Sequence, residues 1–160
     1  MRPTELMERN TQILEIFYAE DQPADRILFK MALEELRIPS HLTMVSNGEE
    51  AMQILSEDNG YLPDIILLDL KMPYKNGYEC LDEIRKNKKF ENTPVVIFSN
   101  SSEESDILKT YSNKANLYIQ KPFNIEKQIK LMQRLFALDR KEYFPQPGMD
   151  KYVFKIKGDQ

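Results

Sequence analysis

A short aliphatic run with a carboxylate at each end, Asp64-Ile65-Ile66-Leu67-Leu68-Asp69, constrains this chain more than any other segment. Four consecutive apolar residues with no polar alternation suit a strand buried on both faces, the condition of a central strand in a parallel sheet. Shorter or weaker versions of the same run recur along the chain. Ile13 to Ala19 reads as a strand ending at Glu20-Asp21, and His41 to Ser46 as a weaker one. Val95 to Ser99 is a fourth strand introduced by Pro94, and Asn116 to Gln120 a fifth.

Between these runs lie segments of helical period. Leu28, Phe29, Ala32, Leu33 and Leu36 share a face, with Pro39 just beyond their end. Asn47-Gly48 is a turn signal, and Glu49 to Ser56 looks helical. Helices are also expected from Gly77 to Lys86, with Leu81 and Ile84 inward, and from Glu103 to Tyr111. Ile125, Ile129, Met132 and Phe136 form a last helical stripe. Five β-α units with an apolar central strand predict an α/β doubly wound five-stranded parallel sheet with helices on both faces.

The chain of 160 residues is long enough for one such domain and too short for two ordinary ones. Its 22 Lys+Arg against 26 Asp+Glu give a net charge of -4, which argues against a chain that lives on nucleic-acid phosphates. One cysteine, Cys80, rules out a disulfide framework, and one histidine, His41, rules out His-rich metal sites. Cys80 reads as a small buried hydrophobe, and Lys86 to Lys89 as a solvated loop. The first twelve residues carry no apolar run of signal-peptide type, and no stretch approaches the roughly 20 apolar residues of a membrane span. A cytoplasmic location is expected, with no membrane or direct DNA contact. The expected division is a polar N-terminal extension over 1–12, a domain over 13–139 and a tail over 140–160.

In a doubly wound sheet, ligands sit beyond the carboxyl ends of the strands. Here those ends carry Glu20-Asp21, Asp69, Ser99 and Lys121-Pro122. Each has a structural reading alone: a helix cap, a turn former, a strand-end hydroxyl, a solvated lysine. Together they place three carboxylates, a hydroxyl and an ammonium in one cleft. Two carboxylates about 5 Å apart repel by about 3 kcal/mol at an effective dielectric near 20. A hard divalent cation relieves that repulsion, and all-oxygen donors favour Mg²⁺. Lys121 can pair with a phosphoryl oxygen and Ser99 can donate to another. Asp69, ending the central strand, is then the candidate nucleophile for an aspartyl-phosphate, with Glu20 and Asp21 serving the metal.

These residues, with Asp69-Leu70-Lys71-Met72-Pro73, Gly77 and Tyr118-Ile119-Gln120-Lys121-Pro122, resemble the receiver domain of two-component response regulators, over about Ile13 to Leu138. The resemblance implies a flavodoxin-like sheet of order 2-1-3-4-5. It implies a single-domain phosphoacceptor that takes a phosphoryl group from a sensor histidine kinase or phosphotransfer protein onto Asp69. Such a protein catalyses its own phosphotransfer and slow dephosphorylation, and signals by conformational change or phosphorelay. Asp21 would bind Mg²⁺ directly, Glu20 through water, and Lys71 through its backbone carbonyl. Lys121 would bridge to the phosphoryl group, and the Lys121-Pro122 bond would be cis. Ser99 and Tyr118 would form the switch, coupled to the surface of the fourth helix, fifth strand and fifth helix. The extended loops Glu57 to Pro63 and Lys86 to Thr93 resemble those of regulators partnered with phytochrome-type kinases.

Two other classes fit less well. A haloacid-dehalogenase-type phosphatase carries a second acid two residues after its nucleophile, where this chain has Lys71. A flavin module of flavodoxin type holds a phosphate dianion in its first loop, where Glu20-Asp21 would repel one. The tail is too short for a DNA-binding output domain. Within it, Tyr152 to Lys157 alternates apolar and mostly basic residues, as a half-buried strand does. Two readings stand: a strand added to a sheet edge of its own subunit or of a homodimer partner, or a flexible tail.

Overall fold

The structure, a computed structural model, describes residues 12–156. Most of the polar N-terminal extension, residues 1–11, and the end of the tail, 157–160, lie outside the described residues. Five strands, β1 (Leu14–Ala19), β2 (Ser40–Val45), β3 (Ile65–Leu68), β4 (Val95–Ser99) and β5 (Leu117–Gln120), form one sheet in the order β2-β1-β3-β4-β5. Every strand pair is parallel. The connections run through α1 (Pro23–Leu36), α2 (Gly48–Ser56), α3 (Gly77–Lys86) and α4 (Glu104–Ser112), and α5 (Ile125–Ala137) follows β5.

Successive strand residues point to opposite faces, so one strand feeds two cores. Ile16, Tyr18, Leu67 and Phe98 pack against Phe29 and Leu33 of α1 and Leu131, Met132 and Leu135 of α5. Phe17, Ala19, Ile66 and Ile97 pack on the other side against Ala51 and Leu55 of α2 and Leu81 and Ile84 of α3. β3 is buried along its whole length, as a central strand covered by helices on both sides must be. α4 is the least embedded of these helices, with Thr110 its one buried residue.

Local chemistry sets the helix starts. The side chain of Asn47 accepts from the Glu50 N–H at 2.8 Å, so the Asn-Gly turn signal is the N-cap of α2. Asn76 and Glu79 form a reciprocal capping box at α3, and Asn124 caps α5. Pro23 occupies the first turn of α1, whose end is the left-handed Arg37 at φ 53°, two residues before Pro39.

Over its described residues the tail is seated on its own domain, with less paired strand than the alternation allows. After Pro145 and Pro147 the chain makes a single turn, α6 (Met149–Tyr152), and only Val153 pairs with the sheet, in a parallel bridge to Tyr118 of β5. The alternation is real in the burial, with Tyr152 inside and Lys155 out. The helical turn consumes the first residue of the run, which leaves too little extended chain for a ladder.

Candidate functional site

The parallel register brings the strand ends to one level. The Glu20 N–H donates to the Val45 carbonyl at 3.0 Å, the Asp69 N–H to the Ala19 carbonyl at 3.0 Å, and the Lys121 N–H to the Ser99 carbonyl at 2.8 Å. Glu20, Asp69 and Lys121 are therefore each held by the last rung of a ladder rather than on a free loop. Beyond them lies a cleft of about 440 Å³ lined by Asp21, Asp25, Asp69, Lys71 and Ser99, with Glu20 and Lys121 buried behind Asp69.

Glu20, Asp21 and Asp69 each present a carboxylate oxygen within 4.8 Å of the others. The Asp69 carboxylate also accepts from the Leu70 N–H at 2.8 Å, which orients its second oxygen. Lys121, almost wholly buried, donates to Glu20, to Asp25 at 3.1 Å and to Asp69 at 3.4 Å. Burial lowers the affinity of that ammonium for its proton, but the charges of Asp69 and Glu20 outweigh burial and hold Lys121 above the ordinary lysine value. Glu20 is fully buried beside like charges, and desolvation first, then Asp69 and Asp25, pushes its carboxyl well above the usual carboxylate range.

The donor set fits a hard divalent cation. One oxygen of buried Glu20 has no hydrogen-bond partner, although nearly all buried polar atoms in folded proteins are satisfied. An orphaned oxygen beside two further carboxylates, one of them half-exposed at the cleft, is a set of hard ligands with an open approach. Lys71 lies at the rim of the same cleft.

Gly77 explains how the loop after Asp69 closes. A Cβ there would lie 2.1 Å from the Asp69 carbonyl oxygen, so only glycine lets α3 start this close to the strand end. Ser99 lines the same cleft at the end of β4. Its hydroxyl oxygen accepts from the Ser101 N–H at 3.1 Å, and the Ser101 carbonyl accepts from the Tyr118 hydroxyl at 2.8 Å. Tyr118 is buried, with its hydroxyl toward the β4–α4 loop.

The structure thus brings together Glu20, Asp21, Asp69, Lys71, Ser99 and Lys121, with Tyr118 one loop behind. The expected cis bond at Pro122 is corrected: it is trans, and the cis peptide bond among the described residues is Phe144–Pro145. An X–Pro bond favours trans by about 0.5–1 kcal/mol. The ladder bond from Lys121 to Ser99 aims the ammonium at its carboxylates with the trans bond in place.

Sequence reading missed Asp25, the third partner of Lys121. Asp25 stands in the first turn of α1, where an acidic residue reads as an ordinary partner of the helix N-terminus. It also missed the Ser101–Asp106–Tyr78 network, in which Asp106 accepts from both hydroxyls and ties α3 to the start of α4. Residues 28 positions apart in the sequence give no local sign of such a contact.

Known proteins bear on this arrangement. A family model described as the response regulator receiver domain matches residues 16–133. Response regulator Rcp1 of Synechocystis sp. is 34% identical over 122 residues, covering 74% of this chain and 83% of that protein. The crystal structure of the phosphorylated cyanobacterial phytochrome response regulator RcpA superposes with a TM-score of 0.72 at 35% identity, covering 78% of this chain and 91% of RcpA. The Mn(2+)-bound form of Rcp1 gives a TM-score of 0.72 at 32% identity, covering 78% and 93%. With a parallel sheet of matching order and acidic strand ends in one cleft, this chain belongs to the response regulator receiver domains, the phosphorylation-controlled modules of two-component signalling.

Proposed function

We propose that Asp69 accepts a phosphoryl group from the phosphohistidine of a sensor kinase or phosphotransfer protein, and that the acyl phosphate switches the protein between two conformations. The observation that carries this reading is the convergence of Asp69 with a buried ammonium at 3.4 Å and two further carboxylates at the sheet's carboxyl edge. In the transfer, an oxygen of Asp69 attacks phosphorus while the P–N bond breaks. The imidazole leaves neutral, its other nitrogen having taken up a proton, and the phosphoryl group ends as an acyl phosphate.

Phosphoryl transfer asks for alignment and charge neutralisation more than covalent chemistry. Lys121 supplies one positive charge and Ser99 one hydroxyl donor, from the ends of the neighbouring strands β5 and β4. Glu20, Asp21, Asp69 and the Lys71 carbonyl would hold Mg²⁺, which when bound neutralises charge on the phosphoryl oxygens. The Mn(2+)-bound form of Rcp1 and the phosphorylated form of RcpA support that division of roles. The likeness to RcpA also favours a phytochrome-type kinase as the phosphodonor. On this reading the chain is a phosphoacceptor signalling protein of the cytoplasm rather than an enzyme acting on a separate substrate.

Acetyl phosphate with Mg²⁺ tests the reading in the absence of any kinase. The intact protein is expected to gain about 80 Da, one phosphoryl group on a carboxylate. The gain should vanish in Asp69→Asn and in chelator. Equal labelling of the variant would remove Asp69 from the role, and full labelling in chelator would remove the metal.

A further inference from the structure

The segment after α5 does not leave the domain. Its first half is tied to the end of α4 by polar contacts: the Asn116 amide donates to the Tyr143 carbonyl at 2.9 Å, and the Gln146 amide donates to the Tyr111 and Ala115 carbonyls at 2.8 and 2.7 Å. The Tyr111 hydroxyl donates to the Pro147 carbonyl at 3.1 Å. Gln146 thereby fastens the proline-flanked stretch of the tail to the turn that follows α4.

The second half closes over β5. Tyr152 is fully buried, its ring edge-on to Tyr111 at 4.9 Å and tilted against Tyr118 at 6.3 Å, and its hydroxyl is 2.6 Å from the hydroxyl of Thr110. The Phe154 N–H donates to the Tyr118 carbonyl at 2.9 Å, beside the Val153 bridge. The edge of β5 and the one buried residue of α4 are therefore both covered by the chain's own tail.

The wall that Tyr152 stands against is also the far end of a hydrogen-bonded path from the cleft. Ser99 lines the cleft with Asp69, the Ser101 N–H is bonded to the Ser99 hydroxyl oxygen, and the Ser101 carbonyl holds the Tyr118 hydroxyl. An anion on Asp69 attracts the Ser99 hydroxyl as a donor. Ser101 is bonded to that oxygen and follows, and the carbonyl that fixes Tyr118 shifts with it. Close-packed aromatic contacts do not deform smoothly, so a change in the Tyr118 ring position is felt by Tyr152 as loss of fit.

We infer that residues 143–156 are a built-in occupant of the α4–β5 face, a cover held through Tyr118 and loosened by phosphorylation of Asp69. The inference rests on the phosphoacceptor reading of Asp69. Its partner chemistry is visible in the cover itself: a short extended segment that pairs with the β5 edge and inserts one tyrosine between Tyr111 and Tyr118. Coupling of this kind is reciprocal, so weakening the cover must also favour the phosphorylated state.

Hydrogen–deuterium exchange of the full chain, read at the Phe154 amide that donates to the Tyr118 carbonyl, tests this with and without acetyl phosphate and Mg²⁺. Intact mass is recorded on the same samples. Exchange is expected to speed up by at least about tenfold in the phosphorylated protein, and not in Asp69→Asn, because the amides of a released segment lose protection. Tyr152→Ala should carry more phosphoryl group at steady state than the parent chain. Tyr152→Phe, which keeps the ring and loses only the Thr110 contact, should fall between the two and serves if the alanine variant fails to fold. A phosphoryl adduct with unchanged exchange overturns the cover and leaves the phosphoacceptor reading intact. No adduct overturns the reading beneath both. Protection that falls on dilution, with a dimer mass by light scattering, shows the tail seated on a second copy and overturns a cover made by the same chain.

Discussion

Replacing Lys121 by alanine removes the one cation that faces Glu20, Asp25 and Asp69 at once. At an effective dielectric near 20, a unit pair at 3.4 Å or 3.1 Å is worth about 5 kcal/mol before desolvation is counted. Burying the ammonium and Glu20 offsets much of that gain. Removing one partner of a buried ion pair still leaves uncompensated charge, with a typical loss of about 3–5 kcal/mol. Glu20 already carries its proton in the folded chain at both pH 5 and pH 8, because its folded pKa is raised to about 10. The destabilisation of Lys121→Ala, which leaves Asp25 and Asp69 without their ammonium, should therefore be similar at pH 5 and pH 8. Added Mg²⁺ should restore about 2–3 kcal/mol at a hundredfold excess over its Kd, because it binds the folded state alone. The variant should gain more than the parent chain, in which Lys121 competes for the same oxygens. Urea denaturation at both pH values, with and without Mg²⁺, reads all of these terms. A loss below about 1 kcal/mol in cation-free buffer, or the same loss with and without Mg²⁺, would refute the view that these carboxylates share one charge-deficient pocket.

Other expectations follow from single contacts. Gly77→Ala forces a Cβ to within 2.1 Å of the Asp69 carbonyl oxygen, against backbone that cannot swing aside. It should cost about 1–3 kcal/mol in urea and reduce acceptance from acetyl phosphate, and a neutral variant with normal acceptance would contradict the packing argument. Glu20 holds a proton in the folded state at pH values where the unfolded chain has released it, because its folded pKa is raised. Without divalent cation its contribution to stability is thus fully present below about pH 4.5 and declines as pH rises, and Glu20→Gln should flatten that decline. A variant with the same pH slope as the parent would discard the assignment. Asp25→Asn removes a nearby negative charge that is not among the three clustered carboxylates, so Mg²⁺ affinity by calorimetry should fall roughly three- to tenfold. Unchanged or tighter binding would show that Asp25 does not contribute to the field of the cleft.

Much of the fold was readable because its signals are redundant. Asp64 to Asp69 could only be a doubly covered strand, and once it is central the other runs fall into place around it. The strand ends were readable for the same reason, since a parallel sheet brings all its carboxyl ends to one edge, where positions 20, 21, 69, 99 and 121 meet. Helix faces were less certain. On α5 the expected stripe of Ile125, Ile129, Met132 and Phe136 is rotated, and the buried positions are Gln128, Leu131, Met132 and Leu135. Hydropathy places a glutamine outside, but the Gln128 amide finds the Met132 sulfur at 3.3 Å within the core. The Pro122 bond was misread, and the tail was left open between an added strand and a flexible segment, because long-range packing decides both. Neither the pairing of Val153 with Tyr118 nor the trans geometry after Lys121 leaves a local trace in the residues themselves.

The central claim is that one carboxylate, at position 69, carries the transferable phosphoryl group. Borohydride reduces an acyl phosphate on aspartate to homoserine and leaves a free carboxylate untouched, so peptide mass spectrometry after labelling with acetyl phosphate and Mg²⁺ locates the acceptor directly. Homoserine is expected at residue 69 and at no other aspartate. Homoserine at Asp21 or Asp25 instead, or a phosphoryl group that survives on a hydroxyl such as Ser99, would contradict it.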